Sequence, residues 1–193
     1  MTSLDEDHDR YLDSVLIGGR EPASIIIASY DGAWPERFAQ LQRRVRQALA
    51  ATALSVEHIG STSVAGLAAK PIIDMLLTVR CVDAEAEYVD ALEQVGFVMR
   101  VREPGHRMFR TPERDVHLHV YAPGDQAVAD YLDLRDWLRE SEPDRALYEA
   151  TKRDLAQREW SDMNYYAGAK SEVIRAILGR AKAGRTGERS DGP

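Results

Sequence analysis

Pro71-Ile72-Ile73-Asp74-Met75-Leu76-Leu77-Thr78-Val79 is the stretch that most limits what this chain can fold into. It is an unbroken apolar run with a single acid inside, so it reads as a central strand of a sheet covered on both faces. Asp74 shares one face of that strand with Ile72, Leu76 and Thr78. A carboxylate buried there without a partner is costly, so it needs a metal ion, a cation or several hydrogen-bond donors. A structural salt bridge, or a carboxylate capping a nearby loop, meets the same need, and both readings stay open.

The rest of the chain supplies neighbours for such a strand. Ser24 to Ser29 and Leu54 to Ile59 read as strands, the second broken by Gly60. Between them Pro35 opens a helix running to about Ala50, with Phe38, Leu41, Val45 and Leu49 at helical spacing. Ala84 to Val95 is an amphipathic helix that ends at Gly96, a C-cap residue. Phe97 to Val101, His106 to Arg110 and Asp115 to Tyr121 read as three further strands. From Gln126 on, the pattern predicts helices over about 126–140, 143–158 and 162–182, the last capped by Ser161 or Asp162. The expectation is an α+β fold: a mixed sheet with packed helices and a helical C-terminal part. Residues 1–22 read as a flexible acidic lead or a loosely docked helix, 23–182 as one domain, and 183–193 as a disordered tail.

Charge and composition exclude several function classes. The net charge is −7, and residues 1–22 hold six acids against Arg10 and Arg20. An acidic chain with no basic run repels a phosphate backbone, so nucleic acid is not expected as a partner. The apolar runs are far shorter than the roughly 20 residues of a membrane span. Cys81 is the single cysteine, so no internal disulfide forms, which fits a reducing compartment. With no basic-then-apolar N-terminal pattern, the expected location is cytoplasmic.

Four features suggest chemistry. In Glu57-His58-Ile59-Gly60-Ser61-Thr62-Ser63-Val64-Ala65-Gly66-Leu67 a strand ends in small residues that let backbone approach a ligand. Free N–H groups at the following turn favour anions, although Ser61 or Thr62 as a plain helix cap explains the same letters. Asp74 is the second feature. The third is Asp115-Val116-His117-Leu118-His119-Val120-Tyr121, whose alternation puts Asp115, His117, His119 and Tyr121 on one face. Two histidines so spaced serve as metal ligands, phosphate donors or a general acid/base, or else line a solvated edge or sit in the core bonded to backbone, and a single thiol with no HExxH pattern does not point to zinc. The fourth is a set of cations on apolar helix stripes: Arg135, Lys152 and Lys170. Each taken alone fits a structural pair with an acid such as Asp136 or Asp74, whereas three on separate helices fit a shared anion pocket.

Glu57-His58-Ile59-Gly60-Ser61-Thr62-Ser63-Val64, followed by Gly66-Leu67-Ala68-Ala69-Lys70-Pro71-Ile72-Ile73-Asp74, resembles the signature of the GrpB (UPF0157-type) proteins. The resemblance extends through Tyr30, Trp34 and Pro35, His106-Arg107-Met108-Phe109-Arg110, His117-Leu118-His119-Val120, Leu134 to Arg139, Tyr148, Lys152, Tyr166 and Lys170. It departs at Ala65, where the family usually has proline. That family is similar to nucleotidyltransferases of the polymerase-beta type, in which a Gly-Ser turn holds a triphosphate and carboxylates about a dozen residues later hold Mg²⁺. The resemblance implies Gly60 and Ser61 at substrate phosphates and Asp74 on Mg²⁺, and Thr62, Lys70, Arg110, Arg135, Lys152 and Lys170 are the further candidates for binding phosphate. His117, His119, Asp115 or Glu57 are candidates to complete the metal's ligand set. The second carboxylate of the pattern falls at position 76, which is Leu76.

The leading expectation is therefore a Mg²⁺-dependent nucleotidyltransferase. It would take ATP or another nucleoside triphosphate and a small-molecule acceptor, and acyl-adenylate ligase chemistry falls in this class. Asp74, His117 and His119 are the expected catalytic residues. A non-catalytic nucleotide- or metabolite-binding module is the alternative, and a metal-dependent hydrolase or lyase using His117 and His119 is the third. A GrpB-like segment fused to dephospho-coenzyme A kinase in some bacteria points the same way, toward nucleotide or coenzyme chemistry.

Overall fold

The computed structural model describes residues 3–21 and 24–188. The apolar run forms β2 (Ile73–Thr78), hydrogen-bonded on both edges within a five-stranded sheet. Its partners are β1 (Ser55–Ile59), antiparallel, and β5 (Val116–Tyr121), parallel. Beyond β5 lie β4 (His106–Arg110) and then β3 (Val98–Glu103), both antiparallel to their neighbours, so the order is β1-β2-β5-β4-β3.

The two faces of the sheet have different tasks. Met75, Leu77, Val116, Leu118, Val120 and Phe109 point to one face and are sealed there. That face is covered by α2 (Trp34–Leu49), whose Leu41, Val45 and Leu49 recur at helical spacing, and by α3 (Val89–Gln94). Strand register puts Asp74, Leu76, His117, His119, Met108 and Arg110 on the opposite face. Over that face lie α4 (Gln126–Glu140), α5 (Glu142–Leu155), α6 (Met163–Ala169) and α7 (Ser171–Glu188). A second cluster, Val64, Leu67, Leu138, Tyr148 and Ile177, fastens these helices to the loop after β1. Asp125, Ser141 and Asp162 accept backbone N–H bonds at the starts of α4, α5 and α6.

The structure corrects several expectations. Ser24 to Ser29 is not a strand: only Ala28 bridges Ala69, and Ile26 is left 67% exposed, so its alternation is never covered. The helix expected over 84–95 shrinks to a 3₁₀ turn, Glu85–Glu87, and α3. Its end is as expected: Gly96 has φ +89°, with Gly96 N–H bonded to Glu93 O and Phe97 N–H to Leu92 O, a Schellman closure. The final helix breaks at Lys170 into α6 and α7. Of the two forms expected for the lead, the structure shows the docked helix, α1 (Ser3–Val15), and Leu12, Val15 and Leu16 bury against Val101 of β3. The tail expected from 183 is helical to Glu188, where Gly184 stands so close to Trp137 that an added Cβ would meet Cζ3 at 3.1 Å. Residues 189–193 of that expectation lie outside the described residues. Among the described residues no helix is long and apolar enough to cross a membrane.

Candidate functional site

The end of β1 sets up the site. Ile59 pairs with Asp74 across the β1–β2 ladder, so Gly60 leaves the strand directly beside that carboxylate. Gly60 has φ +67° and ψ −174°, a region that side chains exclude. A Cβ at this position would lie 2.4 Å from Asp74 Oδ2. Glycine is thus required twice over, by conformation and by space. The chain then tightens into a 3₁₀ turn, Ser61–Ser63, closed by Ser63 Oγ donating to Gly60 O at 2.6 Å.

This turn and Asp74 share one cavity of about 610 Å³ between the polar sheet face and the helices above it. That lies within the ~300–1,000 Å³ typical of small-molecule sites. Three lysines line it from separate segments: Lys70 before β2, Lys152 on α5 and Lys170 at the α6–α7 break. None of them makes an ion pair among the described residues. Lys152 is 2% exposed and donates to Ser61 Oγ at 3.0 Å and to Ala68 O. Lys70 and Lys170 sit 5.3 and 4.7 Å from the centre of the Tyr166 ring, and Lys152 sits 4.9 Å from that of Tyr148. Burial and the charge of Lys170 bring Lys152 down to about 7 and Lys70 to about 8. Burial lowers Lys170 as well. The Tyr166 hydroxyl is buried without a hydrogen-bond partner among the described residues.

On the floor, Asp74, His117 and His119 come together, with ligand-capable atoms all within 4.8 Å of one another. The parallel β2–β5 register causes this, since it pairs Asp74 with His117 and Leu76 with His119. His117 Nδ1 lies 3.2 Å from Asp74 Oδ1. Burial alone would raise the Asp74 carboxyl; contact with His117 and the neighbouring charges outweigh it, and the carboxyl titrates below its usual range. Burial, with His106 adding to it, brings His119 down to about 3, so its ring is neutral near pH 7.

Other expected site residues have other employment. Glu57 does not join Asp74, His117 and His119 but pairs with Arg135 at 3.0 Å. Arg135 reaches the cavity with its guanidinium already engaged by Glu57, by Asp136 at 2.7 Å and by the His58 carbonyl. Arg110 is held bidentately by Glu21, both contacts at 2.9 Å. Arg110 is the leading cause that brings Glu21 down to about 2. The Thr62 hydroxyl lies 1% exposed, donating to Ile72 O and bonded to His58 Nε2. That hydroxyl is thus engaged within the turn, while Thr62 still lines the cavity. Asp115 accepts from Thr111 at 2.6 Å and pairs with Arg37.

Sequence reasoning did not single out Glu103 and His106 for the site. His106 Nδ1 lies 2.5 Å from Glu103 Oε1, and His106 Nε2 lies 3.1 Å from His119 Nδ1. The signal was there in His106, one strand from His119 and on the same face. Tyr131 is another omission: its ring lies 5.5 Å from His119, and burial pushes its phenol up to about 12.

A family model described as GrpB protein matches residues 24–180. A UPF0157 protein of Streptomyces coelicolor is 53% identical over 170 residues, covering 88% of this chain and 91% of that protein. Another, of Halalkalibacterium halodurans, is 46% identical and covers 91% and 92% respectively. Among solved structures, the conserved protein GrpB from Enterococcus faecalis superposes with a TM-score of 0.72 at 33% identity, covering 81% of this chain and 96% of that one.

Proposed function

The chain belongs to the GrpB family, and from that premise and its site we propose that it binds a nucleotide-type phosphorylated ligand with a divalent cation and transfers a nucleotidyl group to a small acceptor. One observation carries this reading. The Gly60-Ser61 turn abuts the Asp74 carboxylate, and Lys152, in no ion pair among the described residues, is bonded to Ser61 from above. An anion seated there meets buried cations whose charged form it favours. A cation beside Asp74 supplies neutralisation of phosphate charge.

In such a transfer an acceptor oxygen or nitrogen bonds to the α-phosphorus. The bond from that phosphorus to the bridging oxygen breaks, pyrophosphate leaves with the electron pair, and the acceptor's proton passes to water. This chain's part is placement: the turn and Lys152 hold phosphate, Lys170 neutralises the leaving side, and the helical roof excludes solvent.

A second reading, binding without turnover, is favoured by Leu76, which is fully buried at the position where the transferase pattern carries its second carboxylate. Thermal unfolding with ATP, GTP, CTP and UTP, each with and without divalent cations, tests the site. Saturation at a hundredfold over Kd should raise Tm by about 5–10 °C, and Lys152→Ala should abolish the shift. No shift with any nucleotide at millimolar concentration overturns the proposal. A shift without pyrophosphate release over a panel of acceptors selects the binding module.

A further inference from the structure

A pair of Mg²⁺ ions held by carboxylates does not fit this floor. Position 76 offers a sealed leucine, and Glu57 on the adjoining strand is tied to Arg135. What stands beside Leu76 in the β2–β5 register is His119, and beside Asp74 is His117. The register therefore sets an imidazole nitrogen, one strand over, beside the position where the transferase pattern has an oxygen.

We propose that Asp74, His117 and His119 form a three-ligand site for one imidazole-seeking transition-metal dication, of the Zn²⁺, Co²⁺ or Fe²⁺ class, in preference to Mg²⁺. Mg²⁺ requires oxygen ligands in near-ideal octahedral geometry, whereas imidazole nitrogen suits the later first-row metals. Three protein ligands leave positions open for water or a ligand oxygen. The side chains of His117 and Asp74 are 21% and 30% exposed, toward the cavity, so the site has an entrance.

The neighbouring side chains aim one of the nitrogens. Glu103 as a carboxylate only accepts, so His106 Nδ1 donates to it. A singly protonated His106 then presents its Nε2 lone pair, which accepts from His119 Nδ1. The lone pair of His119 is left on Nε2, the nitrogen free to meet a metal. Tyr11, from α1, donates to the other oxygen of Glu103 and anchors the far end of the chain. A carboxylate behind a ligating histidine fixes tautomer and ring orientation in metal sites generally. Here a second imidazole is interposed, and the same polarity is transmitted through it.

This deepens the reading of the pocket as a phosphate and cation site, yet it is tested without turnover. Untagged full-length protein carrying Cys81→Ser, which removes the exposed thiol, is stripped with chelator and loaded with Co²⁺. One Co²⁺ per chain should survive gel filtration and show visible d–d absorption. Zn²⁺ should displace it, and millimolar Mg²⁺ should not. His117→Gln and His119→Gln should each weaken Co²⁺ by a hundredfold or more, and His106→Gln by roughly 10–100-fold through the orientation it removes. Failure to retain Co²⁺, displacement by millimolar Mg²⁺, or unaltered binding in both ligand variants overturns the inference. The competition on the parent Cys81→Ser protein decides the matter even if a ligand variant fails to fold. Nucleotide protection, measured on the same stripped and loaded samples, separates the two readings. Its loss with metal binding intact sinks the phosphate pocket alone, and its persistence without metal binding sinks the metal site alone.

Discussion

At position 60 a methyl group would stand 2.4 Å from Asp74 Oδ2 on a backbone with φ +67°. Gly60→Ala must therefore displace the carboxylate or rebuild the turn. The backbone alone accounts for about 1–3 kcal/mol, so Tm should drop on the order of 5 °C and Co²⁺ and nucleotide binding should fall together. A variant that binds both normally would mean that Asp74 has no part in either. The lysines make a prediction of opposite character, because their folded-state values lie below those of an unfolded chain. Lys152 at about 7 and Lys70 at about 8 are compared with about 10.4 when unfolded. Between those limits the unfolded chain binds more protons, so these groups make stability rise as pH climbs from about 7 toward 10. An anion reverses the preference by favouring the protonated amines. Nucleotide binding at pH 8 should then take up protons and weaken as pH rises further. Calorimetric titration in two buffers of different ionisation heat checks the sign; proton release would show that the lysines do not meet the anion.

Elements whose residues alternate against a large apolar layer were legible almost to the residue. β2, β4, β5, α2 and α4 all lie where the periodicity put them, because one face of each packs on the main core or roofs the sheet. Elements that depend on a distant partner were not. Leu12, Val15 and Leu16 carry helical spacing, yet the surface they bury against is Val101, far along the chain. The site divides in the same way. Asp74 and His117 were legible because two strands of opposite pattern, one apolar and one alternating, must share a sheet. The engagement of Arg110 by Glu21 and of Arg135 by Glu57 was not, since those partners are 89 and 78 residues apart in sequence and only tertiary approach selects them. The joint between α4, α5 and α7 is of this kind too. Asp144 on α5 accepts from Trp137 Nε1 of α4 at 2.6 Å and from Arg180 Nη2 of α7, also at 2.6 Å. Asp144→Ala leaves the indole N–H without its acceptor and unties three helices at once. Amide exchange in α4, α5 and α7 should quicken by roughly tenfold or more, the equivalent of a lost buried hydrogen bond. Unchanged exchange would show that apolar contact alone holds the joint.

For the molecule as a whole, the sheet divides stability from function. Its apolar face carries the larger core, from Trp34 to Val120, while the roof over the polar face is fastened by the smaller cluster of Val64, Leu67, Leu138, Tyr148 and Ile177. Less buried apolar surface means a lower free energy for local opening, so the roof should open without the sheet unfolding. The ligand contacts span that divide: Ser61 and Asp74 belong to the floor, Lys152 and Lys170 to the roof. A phosphorylated ligand held by both is released when the roof opens and when the chain unfolds, so its full binding free energy opposes both events, and the strands, which exchange only through the rarer global one, stay closed on the timescale that reports the roof. Hydrogen exchange followed by mass spectrometry should thus show nucleotide slowing α5, α6 and the start of α7 within a time window in which β5 has not begun to exchange with or without it. In Lys152→Ala that slowing should vanish although the roof still packs. Roof and β5 exchanging at the same rate without nucleotide would mean that roof and floor open as one unit. Protection confined to the sheet would place the ligand outside this cavity.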